Sequence, residues 1–126
     1  MSIMMNNKQL GNSFEKRLCT LLNAQRYWVH FLTPDHRGAQ PFDIIAVKNE
    51  MAVAIECKTL SKTHKYFNVS RLEDNQILAF EKWLSCGNTK AYVAVEYDDL
   101  IYMIKYVDLK EKRKIKMEDL EYGISL

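Results

Sequence analysis

Two carboxylates and one lysine carry the chemistry most readily read from this sequence. Asp43 stands in Pro41-Phe42-Asp43, and after twelve intervening residues come Glu56 and Lys58 in Glu56-Cys57-Lys58. Both groups lie in apolar runs, Asp-Ile-Ile-Ala-Val and Met-Ala-Val-Ala-Ile-Glu-Cys-Lys, that read as strands. Side chains alternate along a strand, so Glu56 and Lys58 project from one face about 7 Å apart while Cys57 points the other way. A short turn at Lys48-Asn49-Glu50 makes the runs a hairpin, and antiparallel pairing brings Asp43 beside the Glu56 end of its partner. Two carboxylates then meet one ammonium. Mg²⁺ is a hard ion that prefers oxygen ligands and keeps several waters, which suits such a pair. A metal ion held there activates water toward phosphorus and polarises the phosphoryl oxygen, while Lys58 orients that water or stabilises the charge that grows in the transition state. Glu-x-Lys pairs on strands also occur as plain solvated charges, and spacing alone favours that reading. The apolar surroundings point the other way, because a carboxylate buried with neither partner nor metal is costly.

The elements that must position these groups are legible in outline. Asn6 and Asn7 can cap a helix over 8–24, in which Leu10, Phe14, Leu18, Leu21 and Leu22 recur at helical spacing. Tyr27 to Leu32 reads as a short strand, followed by turn residues from Thr33 to Gly38. The hairpin strands are apolar on both faces, which predicts a central position in a sheet flanked by helices. Tyr66, Phe67 and Val69 predict a further strand, and Ser70 with Glu73 has the spacing of a capping box opening a helix that Gly87 ends. Ala91 to Tyr97 and Leu100 to Val107 read as two strands joined at Asp98-Asp99. A basic tail over 108–126 follows, with Met117 to Tyr122 as a final helical turn. The expected fold is α/β, a mixed central sheet with helices on its faces.

With 126 residues, one domain is expected over 1–126, its core spanning about 8–107. Hydrophobic residues make up 48% and charged residues 27%, a balance that predicts folding rather than disorder. The net charge of +2 permits a nucleic-acid partner without identifying one. Cys19, Cys57 and Cys86 are odd in number and lack CxxC spacing, so neither a disulfide framework nor a zinc site is indicated. No apolar run opens the chain or reaches bilayer length, so the expectation is a cytoplasmic protein without a membrane partner.

Pro41-Phe42-Asp43, the twelve-residue interval and Glu56-Cys57-Lys58 resemble the signature of the PD-(D/E)xK nucleases, with Phe42 as an extra residue between the proline and the aspartate. Gly11 and Glu15 on the first helix, Arg37-Gly38 before the acidic strand, and Gln76 on the later helix extend the resemblance to Holliday-junction resolvases of the RecU and archaeal types. The resemblance implies a restriction-endonuclease-like core ordered αβββαβ, and an endonuclease that hydrolyses DNA phosphodiesters with Mg²⁺ or Mn²⁺. It assigns Asp43 and Glu56 to the metal, with the Cys57 carbonyl and Glu15 completing the group. Lys58 takes the role of catalytic lysine, Gln76 reaches the site or the scissile phosphate, and Arg37 touches the DNA backbone. Another structure-specific or restriction-like nuclease on this fold, or a non-cleaving DNA-binding or inhibitory module, remains the alternative.

Other prominent residues receive plainer readings. His30, His36 and His64 lack the mutual spacing of a metal or nucleophile site and are read as surface or loop histidines. Trp28, Trp83, Tyr66 and Phe67 are read as packing residues, since aromatics among aliphatics usually fill a core. Lys112, Arg113 and Lys114 in the tail are secondary candidates for phosphate contact, diluted by nearby acids. One small domain offers one site, whereas resolving a four-way junction takes two matched cuts, so a homodimer is expected. Leu100 to Val107 is its candidate surface if that strand lies at the sheet edge.

Overall fold

The computed structural model describes residues 13–32 and 42–126. Helix α1 (Ser13–Ala24) buries Phe14, Leu18 and Leu22, the repeat of four residues that places one apolar stripe against a sheet. Its expected start at residue 8, the Asn6 and Asn7 caps and Gly11 lie outside the described residues, as do Thr33 to Pro41. Arg26, at φ 72°, turns the chain out of the helix toward strand β1 (Trp28–Phe31). Then come β2 (Ile44–Lys48), β3 (Met51–Leu60), β4 (Tyr66–Asn68), helix α2 (Asp74–Ser85), β5 (Lys90–Tyr97), β6 (Leu100–Lys105), helix α3 (Tyr106–Lys112) and β7 (Lys114–Lys116).

Five strands form the main sheet in the order β1-β2-β3-β5-β6. The pairs β1–β2, β2–β3 and β5–β6 are antiparallel, whereas β3–β5 is parallel, with α2 on the connection between them. The sheet is therefore mixed and carries helices, three of them among the described residues, as the apolar hairpin predicted. β3 lies at the centre, and Val53 to Cys57 are buried without interruption because both faces are covered. Beneath α1 one core layer joins Leu18 and Leu22 to Ile44, Ile55, Cys57 and Ala94. On the opposite face Phe80 of α2 and Leu109 of α3 pack over Ala54, Val93 and Val95. The β2–β3 and β5–β6 hairpins turn through two left-handed residues each, Asn49-Glu50 and Asp98-Asp99, the twist that suits a two-residue hairpin loop.

Five expectations are corrected. The capping box of α2 consists of Glu73 and Gln76, and Ser70 belongs to a 3-10 turn over Val69–Arg71. The strand expected over Leu100 to Val107 ends at Lys105, because Tyr106 is swung into the core and begins α3. The basic segment is not a tail: α3 buries Leu109, and β7 pairs antiparallel with β4, burying Ile115. Only Met117–Asp119 of the final turn is helical, as a 3-10 turn. Trp28 is not a core residue; it is 61% exposed on edge strand β1, whose outer side has no neighbouring strand among the described residues. No helix among the described residues is long and apolar enough to cross a membrane.

Candidate active site

Asp43 is fixed from both sides by main-chain contacts. Phe42 packs on Phe80 at 5.1 Å and edge-on against Trp83 at 5.5 Å, which anchors the chain just before β2. The Leu32 amide donates to the Asp43 carbonyl at 2.8 Å, and the Asp43 amide donates to the Ile55 carbonyl at 3.2 Å. The Asp43 Oδ2 atom accepts from the Cys57 amide at 2.8 Å, so the carboxylate sits against the segment that carries Glu56. Antiparallel pairing thus brings together the two acids that the sequence separates by twelve intervening residues.

Glu56 is the one buried charged residue among those described, at 5% exposure. Its Oε2 accepts from Gln76 Nε2 at 2.7 Å and lies 4.0 Å from the Lys58 ammonium. The same Gln76 amide uses its oxygen to accept from the Glu73 main chain at 2.9 Å, closing the capping box at the start of α2. One side chain therefore ties the helix terminus to the carboxylate. Burial, and after it the Asp43 charge, push the Glu56 carboxyl up to about 8 against the opposing pull of Lys58; the hydrogen bond with Asp43 and the Glu15 charge add to the rise. Without a cation, this group holds its proton near neutrality.

Glu15, in the first turn of α1, lies near enough to Asp43 for the two charges to interact. Its Oε2 is buried without a hydrogen-bond partner, and burial together with the Asp43 and Glu96 charges raises its pKa against the lowering effect of its own backbone hydrogen bond. Burial lifts the Cys57 thiol well above its usual range and the Cys19 thiol to about 11, so neither is a thiolate ligand at neutral pH. No three His, Cys, Asp or Glu side chains among the described residues form a ready-made cage. Mg²⁺ needs no such cage, since it binds through one or two carboxylates and keeps waters on its other positions. An orphaned carboxylate oxygen and a second carboxyl raised by burial and by its acidic neighbours are the donor set that a hard divalent cation would relieve, and the residues fit one.

The other sequence candidates lie apart. Arg37 lies outside the described residues. Lys112 and Lys114 line a cleft of about 510 Å³ with Lys105, Lys116 and Tyr66, and none of the acidic group or Lys58 reaches it. Arg113 serves as the left-handed cap of α3, its carbonyl accepting from Val69. Sequence reasoning missed the ion pair of Arg17 with Glu96, which keeps the latter from standing as an uncompensated charge beside Glu15. No local signal announces it, because the partners are 79 residues apart.

A family model for the archaeal Holliday junction resolvases (hjc) matches residues 6–126. The crossover junction endodeoxyribonuclease Hje of Sulfolobus acidocaldarius is 25% identical over 114 residues, covering 88% of this chain and 78% of its own. The solved Hjc resolvase of Archaeoglobus fulgidus superposes with a TM-score of 0.62 at 21% identity, over 84% of this chain and 86% of that one. A bacterial homing endonuclease superposes with a TM-score of 0.53 at 12% identity, over 98% of this chain and 78% of its own. At these identities the two structures establish the shared fold, and the family rests on the match along nearly the whole sequence: this chain belongs to the archaeal Holliday junction resolvase family.

Proposed function

We propose that this chain is a divalent-metal-dependent endodeoxyribonuclease that cuts branched, four-way DNA, with Asp43, Glu56 and Lys58 at its catalytic centre. The observation that carries the reading is the buried Glu56 carboxyl, held by Gln76 and raised to about 8 beside Asp43 and Lys58. A buried carboxyl with a raised pKa beside a second acid and a lysine is the kind of group that clusters at functional sites. Asp43 and Glu56 would hold Mg²⁺ or Mn²⁺, with Glu15 and the Cys57 carbonyl beside them. The ion, when bound, supplies Lewis acidity at the phosphoryl oxygen and a nucleophilic water. Lys58 presents its ammonium where charge grows as water adds to phosphorus and the ester P–O bond breaks. Gln76 acts as a positioning residue, since its amide keeps the Glu56 oxygen in place from a rigid helix end. Lys112, Arg113 and Lys114 are proposed to meet phosphates of a DNA arm away from the cut, and Arg37 to meet the backbone near it.

The test sets a synthetic four-way junction against linear duplex of the same sequences, in Mg²⁺ and in excess EDTA. Junction cutting in Mg²⁺ and none in EDTA is expected. Equal cutting of both substrates removes the junction selectivity, and turnover in EDTA removes the metal.

A further inference from the structure

Two aromatic rings stand in solvent on the sheet face that carries Glu56 and Lys58. Trp28 is 61% exposed and stacks on His30, their ring centroids 6.0 Å apart and the planes 7° from parallel. His30 pairs with Ile45, which pairs with Ala54; Trp28 pairs with Val47, which pairs with Ala52. Paired residues share a face, and residues two apart on β3 do too, so Trp28, His30, Ala54, Glu56 and Lys58 all project to one side. The packing agrees: Ile45 and Ala54 join the core under α2, whereas Val29 and Phe31 join the core under α1. From strand spacing and rise, His30 lies roughly 12 Å and Trp28 roughly 17 Å from Glu56. At about 3.4 Å per stacked nucleotide this is about four to five nucleotides along a strand.

Folding does not account for the pair. A tryptophan stabilises a fold by burying its large ring, and this one leaves most of that ring in water. Near-parallel rings stacked on an edge strand instead leave an outer aromatic face in solvent, at the open edge of a sheet side whose inner part, Ile45, Ala54 and Glu56, is packed under α2. Bases inside an intact duplex have both faces covered, whereas bases at an open branch point have a face free to stack.

We propose that Trp28 and His30 form a stacking platform for unpaired nucleobases near the cut site and so help set the preference for branched over linear DNA. This rests on the nuclease reading above. The platform takes bases by their π faces and is indifferent to their hydrogen-bonding edges, which gives selectivity for open structure without selectivity for sequence.

The test measures tryptophan emission and binding in EDTA, so that no DNA is cut, using a four-way junction and a linear duplex. The junction quenches wild-type emission, and Trp28→Ala loses that quenching because the remaining Trp83 is packed against Phe42. The junction-to-duplex affinity ratio falls about tenfold in Trp28→Ala, while Trp28→Phe, which keeps a π face, retains it within about threefold. An unchanged ratio in Trp28→Ala overturns the platform. So does an equal loss in Trp28→Phe with a lowered Tm, which marks a structural role, or a change in oligomeric state at unchanged junction affinity, which marks a contact between copies. Wild-type protein that neither binds nor cuts junctions brings down the nuclease reading itself. Wild type that cuts them, beside a Trp28→Ala variant with equal kcat and KM, eliminates the platform alone.

Discussion

Glu56 places function and stability in opposition at a single carboxyl. Its folded pKa of about 8 exceeds the ordinary 4.5, so the folded state binds the proton more tightly than the unfolded chain. In the metal-free protein the Glu56 contribution to stability is therefore fully present below about 4.5 and is lost as pH rises through about 8. Glu56→Gln removes the ionisation, and thermal melts of the metal-free variant should show that decline flattened, with cleavage lost. Mg²⁺ should raise the Tm of the wild type more at pH 8 than at pH 5, because a ligating carboxyl must first give up its proton; equal shifts at both would remove Glu56 from the metal. Lys58→Ala and Asp43→Asn should each slow cutting by about 100-fold or more, with junction affinity nearly intact, since dispersed phosphate contacts supply most of the binding. Wild-type rates in Lys58→Ala at matched salt and metal would refute its role. The placement of these three side chains together is legible because strand alternation and hairpin pairing are local rules that need no knowledge of the rest of the fold. Trp28 was not, since the same alternation cannot say whether a strand is central or at an edge.

Among the elements, α2 has two superimposed start signals. Ser70 with Glu73 and Glu73 with Gln76 both fit a capping spacing, and the sequence does not choose between them. Leu72 decides, being buried in an extended conformation that delays the helix to Asp74 and turns Gln76 toward Glu56. Gln76→Ala should cost about 1 kcal/mol through the lost cap and also lower kcat, with KM less affected; an unchanged kcat would reduce Gln76 to a cap alone. The segment after residue 113 hid its structure because β7 has only Lys-Ile-Lys, and its partner β4 lies some fifty positions earlier. Ile115 and Met117 are buried, so a chain ending at Arg113 should lose cooperative thermal unfolding, which a dispensable tail would not cause. At the β2–β3 turn, Glu50 holds φ 67° without the freedom of glycine. Glu50→Gly should stabilise the protein by about 1 kcal/mol, read as a higher denaturation midpoint.

For the molecule as a whole, the proposed resolution of a junction, two cuts by chains that offer one site each, predicts a twofold dimer. The β6 strand lies at the sheet edge, as that reading needs, and Leu100 and Val107 are exposed beside it. Sedimentation should give the mass of two chains, and Val107→Glu should shift the equilibrium toward one; a single-chain mass with junction resolution intact would eliminate the dimer. The parallel pairing of β3 with β5 also governs how the protein comes into being. β3 ends at Leu60, but its second neighbour is complete only at Tyr97, after α2 has been made. At ~5–20 residues per second, the ribosome leaves the apolar hairpin with a bare edge for roughly two to seven seconds. Glu56 emerges on that hairpin before Gln76 exists to hold it, and the hazard of the nascent chain is aggregation at the bare edge. Slower initiation or a bound chaperone, rather than a tighter core, is what would raise its soluble yield.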